Sequence, residues 1–320
     1  MRLGFAVKVL GRPGLKSHDT RRWQNSPHLS VSLAYLRDIF VYLGEMQIRM
    51  YRISSDVAPY LTHPDMPQFH RQIDECAAEL AALGEMARRQ DLRLSFHPSQ
   101  YIVLNAEDES IAEKGARDIV AQAQMLDAMG LGDEAVVVTH VGGLYGDRRA
   151  ALERFARRYE RLPEPARRRL VLENDESQFC ISDTHWVHRQ TGIRLIFDYL
   201  HFQNCNHEGV PLRDAVRMAL DSWPAGQTPK IHFSSPRTEF RIATRKNPDG
   251  SRREVLLPPL WTQHSDFINP FEFIQFVQDT DGFREYDVML EAKAKDLALL
   301  RLREDLRRFA PQLAEARRIT

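Results

Sequence analysis

The chain repeats one pattern: a short apolar, partly β-branched run, then a longer amphipathic stretch. The short runs fall at 3–7, 48–53, 92–96, 135–139, 170–172, 193–197, 230–233 and 288–290. Near-continuous apolar runs are what parallel strands covered on both faces look like. The spacing predicts helices over 29–42, 68–90, 110–128, 148–161, 183–190, 212–220 and 270–278, and a last one after Lys293. In the first of these, Leu29, Leu33, Leu36 and Phe40 share a face, with Ser30, Arg37 and Asp38 elsewhere. That is the pattern of a helix covering a sheet. Strand–helix alternation some eight times over predicts an α/β protein with a single (β/α)₈ (TIM) barrel. No repeat, low-complexity tract or Gly/Ser linker divides the chain, so residues 1–320 are expected to form one domain. The one long connection, at about 234–269, carries Arg237, Arg241, Arg245, Lys246, Arg252 and Arg253, with fewer acids.

Composition changes this picture little. Apolar residues make up 43% of the 320, enough for a large core, and no run approaches a membrane span. The N-terminus lacks the apolar core and cleavage site of a signal peptide. The three cysteines, Cys76, Cys180 and Cys205, lack metal-type spacing, and the simplest expectation is reduced thiols in a cytoplasmic protein. Basic and acidic residues balance at 44 each. Net charge therefore gives no argument for nucleic acid, although a local basic face would suffice for binding.

The ends of the strands carry the chemistry. The third predicted strand runs into His97, the fourth into His140, the fifth into Glu173 and the sixth into Asp198 and His201. The seventh contains Lys230 and His232, and the eighth delivers Glu291. Any one of these alone reads as a hydrogen-bonded structural residue. Together they place imidazoles and carboxylates on one rim, where barrel enzymes build their active sites. Such a set calls for divalent cations, and nitrogen and oxygen ligands suit Mn²⁺, Fe²⁺ or Zn²⁺. The ligands are too many for one ion. Two or three ions sharing bridging carboxylates favour phosphodiester hydrolysis, although sugar isomerases also use two metals on barrels. Asp198 and His201 are three apart, which suits ligation of one ion or a capped helix start. Lys230 shares a strand face with His232. It is neutral, or binds a phosphate oxygen, or is carbamylated, or lies below the metals paired with a carboxylate.

At this point the sequence resembles the UV damage endonucleases, themselves similar in fold to endonuclease IV and to xylose isomerase-like barrels. The resemblance rests on Phe96-His97-Pro-Ser-Gln100-Tyr101, His140-Val-Gly-Gly-Leu-Tyr-Gly, Leu172-Glu173-Asn174-Asp175-Glu176, Asp198-Tyr-Leu-His201 and Pro229-Lys230-Ile-His232, and spans nearly the whole chain. It implies a DNA-repair endonuclease that cuts duplex DNA immediately 5′ to cyclobutane pyrimidine dimers and 6-4 products, with some activity at abasic sites. It implies manganese, with Zn²⁺ or Mg²⁺ as alternatives. By position the ligands would be His97, His140, Glu173, Asp198, His201, His232, His264 and Glu291, with His63 as a further site residue. The catalytic set would include Glu173, Glu291 and Lys230, and the family's lysine at the last position is modified. Gln100 and Tyr101 match residues that probe the lesion. Phe5 stands where better-known members carry Tyr, which keeps an aromatic face and loses a hydroxyl. No membrane or obligatory protein partner is expected, and the location would be cytoplasmic, at the nucleoid through DNA. The rival readings are an abasic-site endonuclease, a metal-dependent sugar isomerase or epimerase, and a damage binder without turnover.

Overall fold

The structure is a computed structural model that describes residues 1–99 and 101–319. Eight parallel strands close into a barrel: β1 (Leu3–Ala6), β2 (Met50–Arg52), β3 (Arg93–Phe96), β4 (Val136–His140), β5 (Leu170–Glu173), β6 (Arg194–Asp198), β7 (Lys230–Phe233) and β8 (Asp287–Leu290). Every strand hydrogen-bonds to its sequence neighbours in the barrel, and β1 closes the ring on β8 through Leu3↔Val288 and Gly4↔Met289. All eight apolar runs read from the sequence are barrel strands. Helices cover the outside. The first, Leu29–Glu45, buries Leu29, Leu33, Leu36 and Phe40, as its spacing predicts, and adds Ile39 and Leu43 to the same face.

Because side chains alternate along a strand, each strand divides its residues between two cores. Leu3, Phe5, Tyr51, Leu94, Phe96 and Phe197 join the large layer between sheet and helices. Inside the barrel, Val136, Val138, Val171 and Ile196 form a separate apolar plug with Trp223. Gly4 faces that interior, where a Cβ would stand 2.7 Å from Met50 Cγ. Below the plug, Arg93 meets Asp287 at 2.9 Å. Above it stand the polar strand ends.

Three expectations change. The helix expected over 68–90 is broken into a turn at Pro67–Phe69, a short piece at Gln72–Glu75 and the main helix Ala77–Arg89. The break follows from Gln72, which is fully buried. Its side chain accepts from Leu29 N at 2.7 Å and donates to the carbonyls of Pro59 and Phe69, fastening this segment to its surroundings. Second, the thiols are not all free: Cys180 and Cys205 form a disulfide, while Cys76 is buried and unpaired. Neighbouring β5 and β6 bring the two Cα atoms to 5.3 Å across a separation of 25 residues, a proximity that sequence spacing does not reveal. Third, the long connection after β7 is not a plain loop. It holds an antiparallel hairpin of Arg241–Lys246 with Arg252–Leu257, and a second ribbon of Pro236–Arg237 with Leu260–His264. No helix of the described residues is long and apolar enough to cross a membrane.

Candidate metal centre and active site

The upper rim gathers the polar strand ends around Glu173, which is buried at the end of β5. Its Oε1 accepts from His232 Nδ1 at 2.7 Å, and its Oε2 lies 3.2 Å from His97 Nε2 and 3.7 Å from His140 Nε2. His201 Nδ1 approaches Oε1 at 3.6 Å. Glu291, at the end of β8, lies 3.2 Å from His232 Nδ1 and 3.7 Å from His264 Nε2. On this rim three triplets present donor atoms within 4.8 Å of one another: His97, His140 and Glu173; Glu173, Asp198 and His201; Glu173, His232 and Glu291. All three share Glu173. This is a donor set for more than one divalent ion, entirely of nitrogen and oxygen.

The local geometry shows why this site suits cations. Asp198 Oδ1 accepts from His201 N at 2.7 Å and caps the short helix Tyr199–Asn204. Its other oxygen, Oδ2, is buried without a hydrogen-bond partner among the described residues. Capping therefore leaves the second oxygen available, so one residue could both cap the helix and serve as a ligand. His232 Nε2 and His140 Nδ1 are also buried and unpartnered. Buried polar atoms left unsatisfied are costly, and metal-site donors are a recurrent reason for them. Asn174 orients the cluster: it accepts from Asp198 N at 2.9 Å, donates to Asp198 O at 3.1 Å, and its own carbonyl receives His201 Nδ1 at 2.9 Å. His264 Nδ1 is held by Ser234 Oγ at 2.6 Å.

Three carboxylates in one buried volume repel one another. Burial, then Glu291 and Asp198, push the Glu173 carboxyl well above the usual range. Burial would also raise Glu291, but Arg52 and then His232 outweigh it and hold that carboxyl well below. Burial holds His97, His140 and His232 neutral, the form that binds metal. Arg52, at the end of β2, forms an ion pair with Glu291 and is the residue that sequence reasoning missed. The signal was available, because Arg52 ends a strand on the same rim, but a search for ligand types passes over arginine.

Lys230 is almost fully buried and donates to Ser95 Oγ at 3.0 Å across the barrel. It forms no ion pair among the described residues, so the reading that places it beside a carboxylate falls. Burial, with Arg52 and Arg93 nearby, pushes its amine well below the usual lysine range. Above the cluster opens a cleft of about 560 Å³ whose lining includes His97, Tyr101, His140, Thr262, His264 and Glu291. Tyr101 is 78% exposed at its edge. Gln100 lies outside the described residues. His63 sits in the connection after β2 beside Tyr60, its ring centroid 6.3 Å away, and is not among the groups around Glu173. Phe5 offers no face for stacking: it is fully buried and stands edge-on to Tyr51 at 5.4 Å, on the outward side of β1.

Comparison with known proteins agrees with this geometry. The family model described as UV-endonuclease UvdE matches residues 29–314. A UV DNA damage endonuclease of Bacillus velezensis is 36% identical over 272 residues, covering 85% of this chain and 78% of the relative. The crystal structure of SacUVDE superposes with a TM-score of 0.80 at 28% identity, covering 96% of this chain and 98% of that one. A D-psicose 3-epimerase of Clostridium cellulolyticum superposes at 0.52 with 12% identity over 91% of this chain and 85% of its own, and shares the fold alone. A barrel whose rim collects imidazoles and carboxylates around one glutamate, matched by a family model over nearly its whole length, belongs to the UV-endonuclease UvdE family, and the chain is an endonuclease that hydrolyses phosphodiester bonds.

Proposed function

We propose that this enzyme cuts duplex DNA immediately 5′ to UV photoproducts, cyclobutane dimers and 6-4 products, with abasic sites as a secondary substrate. The observation that carries the reading is the sharing of Glu173 by three donor triplets beneath an open cleft. His97, His140, Glu173, Asp198, His201, His232, His264 and Glu291 would hold two or three ions, with Mn²⁺ the metal of first choice. Divalent ions there supply Lewis-acid charge to the phosphodiester and activate water at neutral pH. The side chains do the rest. The imidazoles of His97, His140 and His232, which burial keeps neutral, hold their lone pairs ready for ligation, and Glu173 would serve all three donor groups. Asn174 fixes Asp198 and His201 in place, so the donors need no reorganisation. Burial pushes the Lys230 amine towards its neutral form, which is the form that reacts with CO₂, and a carbamate there would add an anionic donor beside His232.

Tyr101 is placed to meet the lesion. A photodimer stacks poorly, so turning it out of the helix takes less energy than turning out intact bases. An exposed aromatic ring at the cleft edge can then stack in the gap, together with Gln100. The enzyme would act on chromosomal DNA in the cytoplasm. The abasic-site and sugar-isomerase readings lose to this one on family membership.

The test is incision of a labelled duplex bearing one cyclobutane dimer, with Mn²⁺ or with EDTA, beside undamaged and abasic duplexes. A Mn²⁺-dependent cut immediately 5′ to the dimer is the expected result. Cutting of the abasic duplex alone would move the enzyme to the endonuclease IV class of activity.

A further inference from the structure

The hairpin after β7 has features that the proposed chemistry does not use. Its register sets Arg245 opposite Arg253 and Lys246 opposite Arg252. Like charges directly across a ribbon destabilise it. The same register sets Ile242 opposite Leu256, and these are 69% and 62% exposed. Arg241 is engaged by Asp266 at the root, and Asp249 is used by Ser251 in the turn. The four tip cations Arg245, Lys246, Arg252 and Arg253 are exposed and form no ion pair among the described residues. An isolated two-stranded ribbon is marginal in water, and this one carries opposed cations and an open apolar pair besides. A polyanion lying against it turns the repulsion into attraction.

The root is firm. Arg237 is buried and donates to Pro258 O at 3.0 Å. The second ribbon pairs Leu260 with Arg237 and His264 with Pro236. That ribbon ends at His264, so the arm grows directly from a residue of the metal centre. Its Thr262 and His264 line the cleft that Tyr101 also lines. In the closed barrel β3 and β7 stand four strands apart, on opposite sides. The segment bearing Tyr101 follows β3 and the arm follows β7. Strands of six residues extend about 20 Å at roughly 3.4 Å per residue. That length matches about six phosphates along one DNA strand, and a two-stranded ribbon fits a major groove.

We propose that the hairpin Arg241–Leu257 is a second DNA-binding element. It lies along the intact duplex on the side of the lesion away from Tyr101, and its tip cations contact phosphates independently of sequence. This inference rests on the endonuclease reading and adds a duplex-binding surface outside the catalytic cleft. The charged tip supplies affinity, and Ile242 with Leu256 lies against sugars or thymine methyls in the groove.

The experiment uses the full enzyme with Mn²⁺ and the variant R245Q/K246Q/R252Q/R253Q, with R245K/R252K/R253K as the charge-keeping control. Affinity for an undamaged duplex of about 30 base pairs, which is not cut, is read by fluorescence anisotropy between about 50 and 200 mM salt. The neutralised variant is expected to bind on the order of 10-fold more weakly at about 100 mM, with a log–log salt slope shallower by about 2 to 4. The control keeps the wild-type slope. Incision of a dimer-bearing duplex trimmed to a few base pairs on one flank then locates the arm: wild type and variant become equal when one flank is removed and stay different when the other is. Unchanged slope in the neutralised variant, with melting temperature preserved, overturns the proposal. So does a wild-type dimer dissociated by I242S/L256S with the slope intact, which would give this face to a second copy of the chain. If the neutralised variant merely aggregates while its soluble fraction keeps the wild-type slope, the charges serve only to guard an exposed ribbon, and the proposal falls. A wild-type enzyme that binds duplex with a steep slope but never cuts at a dimer removes the photoproduct reading and leaves the arm.

Discussion

The two ends of the barrel bury charge in opposite ways. At the lower end, Arg93 meets Asp287 at 2.9 Å, and Arg2 reaches the same carboxylate at 2.9 Å. Arg194 donates to Asp133 O at 2.8 Å and Gln227 at 2.9 Å, and its guanidinium covers the Trp223 ring at 4.6 Å. Asp287 is shared by two guanidiniums there, while Arg194 meets neutral acceptors and Arg93 Nη2 has no partner among the described residues. At the upper end, Glu173, Asp198 and Glu291 crowd together, and Asp198 Oδ2 and His232 Nε2 have no partner. What differs between the ends is how far the chain supplies its own counter-charge. The lower end supplies it and is a structural seal. At the upper end Arg52 answers Glu291, but Glu173 and Asp198 have no Arg or Lys partner among the described residues, so counter-charge is left to be bound, which fits the division of barrels into a stabilising face and a catalytic face.

The largest effect that would test this contrast is at Glu173. Glu173→Gln should lower Mn²⁺-dependent incision by on the order of 10³-fold, the scale of several kcal/mol of lost metal stabilisation. The same variant, melted in EDTA, should be no less stable than wild type, because a buried carboxyl among like charges opposes folding. Near-normal incision under limiting metal would sink the assignment of the upper end.

Asp287→Ala should do the reverse. It leaves Arg93 buried without its counter-ion, at a cost of about 3–5 kcal/mol. Urea denaturation reads the loss, while the incision rate per folded molecule should stay at the wild-type value. An equal loss of specific activity would mean that the two ends are not separable.

Metal binding would link the two ends. Mn²⁺ at about 100 times its dissociation constant should stabilise the folded enzyme by about 2.7 kcal/mol per independent site. Asp287→Ala should gain the same increment over its EDTA baseline, and Glu173→Gln should gain less. Calorimetry with and without EDTA settles the point.

The smallest effect lies in the connection after β1, outside the donor cluster, where a buried carboxylate pairs with a half-exposed arginine. The Asp19 carboxyl is held at about 2, chiefly by hydrogen bonds from Arg21, with burial opposing and the His28 amide assisting. Its folded pKa lies below the unfolded value of about 3.9. Its contribution is therefore present above pH ~4 and lost as pH falls towards ~2. Arg21 is nearly half exposed, so solvent screening limits the effect to about 1 kcal/mol. Melting curves of Asp19→Asn and wild type should differ by that much near neutrality and converge at low pH.

The upper rim was legible in the sequence to the extent that it is local. His97, His140, Glu173, Asp198 and Glu291 each end or directly follow an apolar run, and a parallel strand in a barrel delivers such a residue to one rim whatever its neighbours are. The pairing of Lys230 with His232 on one face followed from alternation alone. Phe5 and Arg52 show where such reading stops. Both sit on strands, but Phe5 turns to the helices while Arg52 turns inward to Glu291, a residue 239 positions away. Neither outcome follows from residue type, because each depends on which face the closing barrel turns inward.

The sequence by itself determined the strand–helix alternation and the eight strands, because hydrophobic period is set within a few residues. It also determined the kinds of donor at the strand ends. Only the tertiary structure decided that Asp198 caps with one oxygen and leaves the other free, that Cys180 meets Cys205, and that Lys230 bonds to Ser95 rather than to a carboxylate. It alone gave the connection after β7 its hairpin register, with cation facing cation at the tip. The physical reason is common to all of these. A period records which face a residue shares with its neighbours in the chain. Which atoms meet across a barrel is set when β1 closes on β8, some 285 residues along, and the interior must then be filled and its charges balanced at once.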